Sequence, residues 1–86
     1  MRISKDQIIC GVPAFDLRAA FKRLNSGWDA LHLRALLGVP ISEAETLLEA
    51  LGADGYIELD LKVEDRQLYR LTIKGGALAA AVSSPA

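Results

Sequence analysis

From Pro13 onward, apolar residues return at the spacing of one helical face: Leu17, Ala20, Phe21 and Leu24, with Asn25-Ser26-Gly27 closing the run. Proline suits a first helical position, because the N–H it lacks has no intrahelical partner there. A second face follows in Ala30, Leu33, Leu36 and Leu37, with Ser26 and Asp29 as N-cap residues, Trp28 as an anchor at its start and Gly38 as a left-handed stop. After Val39-Pro40, Ser42 and Glu45 form a capping box opening a third helix, whose apolar set Ala44, Leu47, Leu48 and Leu51 has the spacing i, i+3, i+4, i+7. Gly55 ends it. Two helices joined by so short a turn constitute a helix-turn-helix unit.

The period then drops to two. Ile57, Leu59, Leu61 and Val63 alternate with Glu58, Asp60 and Lys62, which predicts a half-buried strand. Its partner is expected over Gln67 to Ile73, with Tyr69, Leu71 and Ile73 on one side and Glu64-Asp65-Arg66 at the hairpin tip. A lone hairpin is marginal, so its apolar face must pack on the helices. Ala77 to Val82 has helix propensity, Gly75-Gly76 eases the turn into it, and the tail from Ser83 should fray. At the other end, Ser4 and Gln7 form a capping-box pattern that predicts a helical turn or two before Gly11 and Pro13.

The organisation is therefore a single domain over residues 1–86: an N-terminal turn (1–12), a first helix (13–25), the helix-turn-helix (28–55), a hairpin (56–73), a C-terminal helix (74–82) and a tail (83–86). The fold class is mainly α with a small β-hairpin, that is, α+β. About half of the 86 residues are apolar, enough for one small core. No apolar run approaches the roughly 20 residues of a membrane span, and no charged leader precedes an apolar segment, so a soluble, cytoplasmic chain without membrane partners is expected. Cys10 is the only cysteine, which excludes an internal disulfide and a paired-cysteine metal site.

Order and local text together resemble the winged helix-turn-helix domains of MarR-type and PadR-type bacterial transcription regulators. The resemblance rests on Gly55-Tyr56-Ile57 at the end of the third helix and on Leu71-Thr72-Ile73-Lys74-Gly75-Gly76-Ala77-Leu78-Ala79 after the wing, and it spans Asp16 to Ala81. It implies a three-helix core, a two-stranded antiparallel wing and an exit helix. It also implies double-stranded DNA as partner, with the third helix in the major groove and the wing on phosphate or minor groove. On that reading Ser42 and Thr46 lie nearest the bases, while Arg18, Lys22, Arg23, Lys62 and Arg66 hold phosphates. The module would act as a transcriptional regulator, with a homodimer supplying the larger interface.

Charge changes this picture. Residues 1–37 hold six bases and three acids, residues 38–60 hold six acids and no base, and residues 61–86 hold four bases and two acids, which gives the net charge of −1. The third helix carries Glu43, Glu45 and Glu49, and no Arg, Lys, Asn or Gln that would read a guanine or adenine edge. Two unit charges about 4 Å apart in water interact by only about 1 kcal/mol, so three glutamates do not forbid DNA. They do open an alternative: a protein-interaction or dimerisation module, or the accessory domain of a larger enzyme, in which Glu43, Glu45 and Glu49 meet a basic partner and Ala77 to Val82 adds an apolar seam between subunits. The bland reading of each charged face is simple solvation.

Nothing points to catalysis by this chain. His32 stands without a second ligand at metal spacing, Cys10 lacks an activating base and reads as a small buried hydrophobe, and the glycines after Lys74 do not spell a phosphate loop. Phe15, Phe21, Trp28, Tyr56 and Tyr69 sit at apolar-face positions or element ends and read as core, not as stacking platforms. No cofactor and no metal are expected.

Overall fold

The computed structural model describes residues 1–24 and 26–84. Asn25 and the Pro85-Ala86 end of the tail, both used in the readings above, lie outside the described residues. The elements run β1 (Arg2–Ile3), β2 (Ile8–Ile9), β3 (Val12–Pro13), α1 (Ala14–Arg23), α2 (Ala30–Leu37), α3 (Ile41–Ala53), β4 (Ile57–Val63), β5 (Arg66–Leu71), α4 (Ile73–Ala79) and β6 (Val82–Ser83). The architecture is α+β, with three helices preceding an antiparallel β4–β5 hairpin and a fourth helix after it.

The helical faces are those the spacing predicts. Ala14, Leu17, Ala20 and Phe21 of α1, Leu33 of α2, and Ala44, Leu47, Leu48 and Leu51 of α3 are buried around one core, to which Ile3, Ile9, Leu24, Trp28, Tyr56, Ile57, Leu78 and Ala81 also belong. Gly38 ends α2 at φ 68°, a left-handed stop that glycine adopts without cost to a Cβ. Asp29, rather than Ser26, caps α2. Its Oδ1 accepts the N–H groups of Leu31 (3.0 Å) and His32 (3.4 Å), and Nδ1 of His32 lies 3.3 Å from its backbone N and 3.0 Å from its Oδ1, a capping box with histidine at the third position.

Several expectations are overturned. Residues 1–12 form no helix: Gln7 N–H closes a turn on the Ser4 carbonyl (3.1 Å), and β2 and β3 then pair antiparallel through Cys10-Gly11. Both turn residues have positive φ, 53° and 80°, the geometry that matches the twist of a two-residue hairpin. Pro13 lies in β3 and precedes α1 instead of opening it. The Ser42–Glu45 capping box does not form, because α3 begins at Ile41 behind Pro40, leaving Ser42 inside the first turn. Thr46 Oγ1 donates to the Ser42 carbonyl (3.0 Å).

The strand β4 is not half-buried along one row. Only Ile57 is buried, and Leu59, Leu61 and Val63 are each more than 40% exposed. Ile57 and Leu59 oppose Leu71 and Tyr69, but a register shift between Leu59 and Leu61 sets Leu61 opposite Leu68 and Val63 opposite Arg66. An extra residue in one strand inverts the alternation beyond it. Leu61 and Val63 therefore leave the face of Ile57 and Leu59. Ile73 does not extend β5 either; it begins α4 and is 96% exposed.

The C-terminal segment is held, not frayed, through Ser84. β6 pairs in parallel with β1, and Ser84 N–H donates to the Ile3 carbonyl (2.7 Å). Arg18 clamps this join, its Nη1 donating to the Ala81 carbonyl (3.1 Å) and reaching Ser83 Oγ (3.3 Å). Leu78 and Ala81 are buried in the chain's own core, while Ala77, Ala80 and Val82 are exposed.

Candidate functional site

The residues of the Gly-Tyr-Ile and Leu-Thr-Ile-Lys-Gly-Gly phrases meet one another. Thr72 caps α4, its Oγ1 accepting Gly75 N–H (3.2 Å) and donating to the Gly55 carbonyl, while Thr72 N–H donates to the Tyr56 carbonyl (3.1 Å). Lys74 Nζ donates to the Asp54 carbonyl at the end of α3 (2.7 Å) and lies 4.4 Å from the Tyr56 ring centroid, a cation–π contact. Gly75 is required by packing and not by turn geometry, since a Cβ there would stand 2.1 Å from the Tyr56 carbonyl oxygen. The motif thus locks the hairpin base and α4 onto the end of α3.

A second join fixes the outer part of the hairpin. Tyr69 N–H donates to the Trp28 carbonyl (2.7 Å), and the N–H groups of Gly27 and Trp28 return to the Tyr69 carbonyl (3.0 and 3.3 Å). Trp28 therefore acts as a one-residue third strand beside β5, which no local period announces. Farther out, Arg66 Nη2 and Nε donate to Asp29 Oδ2 at 2.6 and 3.2 Å. Partial burial pushes the Asp29 carboxyl up, but the Arg66 guanidinium, then the His32 side chain and N–H, outweigh it and hold the group at about 2.

Between α3 and the hairpin these joins leave an open cleft of about 630 Å³. Its apolar lining is Ala30 and Leu31 of α2, Ile41 and Leu48 of α3, and Tyr69 of β5. Leu31 is 55% and Ile41 40% exposed, so apolar surface faces solvent here. The charged lining is Glu45 and Glu49 from α3, Lys62, Asp65 and Arg66 from the hairpin, and Asp29 at the α2 cap. Asp29 and Arg66 neutralise each other, leaving three acids against one base. Among the described residues, Glu45, Glu49 and Asp65 have no ion-pair partner.

The sequence-predicted site residues fall in three places. Lys62 and Arg66 share the cleft with Glu45 and Glu49. Ser42, Glu43 and Thr46 line a smaller hollow of about 300 Å³ shared with Cys10, Gly11 and Val12 of the β2–β3 hairpin. Arg18, Lys22 and Arg23 lie on α1 and line neither. Lys22 and Arg23 are exposed, while Arg18 is occupied by Ala81, Ser83 and the Phe15 ring, 4.7 Å from its guanidinium carbon. Sequence reasoning missed Asp29, Leu31 and Ile41. Asp29 was legible as a cap, but its pairing with a residue 37 positions away was not.

In the smaller hollow, Cys10 is half-buried and its thiol donates to Asp54 Oδ2 (3.2 Å). Burial, the hydrogen bond to Asp54 and that carboxylate's charge push the thiol up to about 11, against a smaller opposing pull from Lys74. It stays protonated at neutral pH, the opposite of an activated nucleophile. On the outer side of the hairpin Arg70 pairs with Glu58 (2.8 Å) and Asp60 (3.4 Å), which removes two acids from the surplus of residues 38–60. No group of three His, Cys, Asp or Glu side chains among the described residues is placed to hold a metal, and no helix of the described chain is long and apolar enough to cross a membrane. No family model, curated protein or solved structure matches the chain.

Proposed function

We propose that this chain is a non-enzymatic, cytoplasmic winged helix-turn-helix module that acts by binding another protein, not by reading DNA with α3. The observation that carries this reading is the cleft between α3 and the hairpin: solvent-facing apolar side chains bordered by Glu45, Glu49 and Asp65, with Lys62 as the one base of its lining that has no ion-pair partner among the described residues. DNA recognition needs several cations on phosphates, each contributing about −0.9 to the slope of log affinity against log salt. Here Arg66 and Arg18 are already engaged, and Lys22 and Arg23 stand on α1, apart from the cleft. The winged-helix assignment is supported by the helix–helix–helix–hairpin order, the Trp28 bridge to β5 and the mutual contacts of the Gly55–Ile57 and Leu71–Ala79 phrases.

The second reading, a DNA-binding regulator, is favoured by Lys62 and Arg66 on an exposed hairpin tip, with Thr46 and Ser42 on the neighbouring helix. Titration of random-sequence duplex DNA at low and moderate salt separates the two. The protein-contact reading expects no saturable binding at low salt. Binding that weakens with salt by several phosphates' worth and vanishes on Lys62→Glu with Arg66→Glu overturns it.

A further inference from the structure

The geometry points to a basic amphipathic helix as the occupant of the cleft between α3 and the β4–β5 hairpin, its apolar stripe on Leu31, Ile41 and Leu48 and its Lys or Arg side chains on Glu45 and Glu49. This rests on the protein-contact reading above and names the partner's chemistry. Shape comes first. A helix is about 10 Å across, and the cleft, of about 630 Å³ and open to solvent, has room for the side chains of one face of a short helix.

Chemistry selects the sequence class. A helix laid in a groove presents apolar anchors at i, i+3/i+4 and i+7, and the cleft offers them an apolar floor that includes Leu31, 55% exposed, and Ile41, 40% exposed. Glu45 and Glu49 stand one turn apart on α3, both exposed and both on the cleft. That spacing suits two cations one turn apart on a helix packed alongside. Arg66 cannot supply an internal substitute, because Asp29 holds it at 2.6 Å, and Lys62 alone leaves the rim acidic. An acidic or neutral helix would leave these carboxylates unpaired on desolvation, which is costly. Charge thus decides between partners that the apolar floor alone would accept.

The test uses a fluorescein-labelled synthetic helix of about three turns, with leucines on one face and lysines on the other, and a control with glutamates in place of the lysines. The full chain should bind the lysine peptide saturably and the glutamate peptide at least about tenfold more weakly. Glu45→Lys with Glu49→Lys should weaken the lysine peptide at least about tenfold, and so should Leu31→Asp, a surface change that leaves the core intact. Glu43→Lys, on the other hollow, should change it less than about twofold. Amide shifts on titration should centre on Leu31, Ile41 and Leu48. Absence of saturable binding, or equal loss from Glu43→Lys and the Glu45/Glu49 pair, overturns the proposal. Failure here with no DNA binding discards the basic-helix occupant alone, whereas salt-dependent DNA binding discards the protein-contact reading itself.

Discussion

Arg66, at the start of β5, donates two hydrogen bonds to a single oxygen of Asp29, the residue that caps α2 with its other oxygen. One carboxylate therefore satisfies orphan N–H groups of a helix and anchors the tip of a hairpin, and the two tasks are coupled through its charge.

That coupling predicts a specific acid sensitivity. Asp29 has its folded value lowered from 3.8 to about 2, so the unfolded chain takes up its proton first as pH falls. The stabilisation is complete above about pH 4 and is lost as pH drops through about 2. Urea unfolding at neutral pH and in acid should show Asp29→Asn flattening the dependence across that window, with a loss of about 1 kcal/mol at neutral pH. Arg66→Ala should cost less, at most about 1 kcal/mol, because the Arg66 side chain is 60% exposed and its charge is screened. A variant that titrates like the parent between those limits refutes the assignment.

Gly75 and Gly76 are adjacent in α4, and only one is held by packing. Gly75→Ala drives a methyl to 2.1 Å from a backbone oxygen and should cost more than about 2 kcal/mol or shift α4 off the hairpin. Gly76→Ala meets nothing within 4 Å and should be neutral or stabilising by up to about 1 kcal/mol through helix propensity. Thermal unfolding of the pair measures the difference directly, and equal effects would show that the Tyr56 carbonyl is not the constraint.

Cys10 should resist alkylation. With the thiol at about 11, only about one molecule in a thousand is thiolate at pH 8, against roughly a tenth for an ordinary thiol near 9. Asp54→Asn removes a raising charge, so iodoacetamide should then react several times faster at that pH. An unchanged rate would mean that burial alone sets the thiol's reactivity.

Much of the fold was written in local spacing. Leu17 and Phe21, Ala44 to Leu51, and Gly38 behave as periodicity and stop signals require, because a helix buries a fixed stripe regardless of what it packs on. The strand pattern misled, since a shift at Asp60 turns Leu61 and Val63 to the other side and the alternating letters carry no mark of it. The first twelve residues misled for a related reason: Cys10 adopts a left-handed conformation that a non-glycine residue rarely takes.

The candidate site was less legible. Glu45 and Glu49 were visible as charge, but whether a helix face reads as acidic depends on partners distant in sequence. Arg66 is withdrawn by Asp29, and Arg18 by Ala81. Those pairings follow from the fold, not from neighbouring letters. Ser42 and Thr46 seemed to share a face with all three glutamates, yet they line the smaller hollow with Glu43 while Glu45 and Glu49 line the cleft, because the β2–β3 hairpin lies where no β-structure was expected.

The parallel pairing of Arg2 with Val82 and of Ile3 with Ser83 sets the first and last strands side by side. A longer polypeptide that housed this unit would enter and leave it through neighbouring backbone, so the unit would hang from its host like a charm on a ring. Pulling on both ends would load this parallel pair in shear, with Arg18 of α1 bracing it at Ala81 and Ser83.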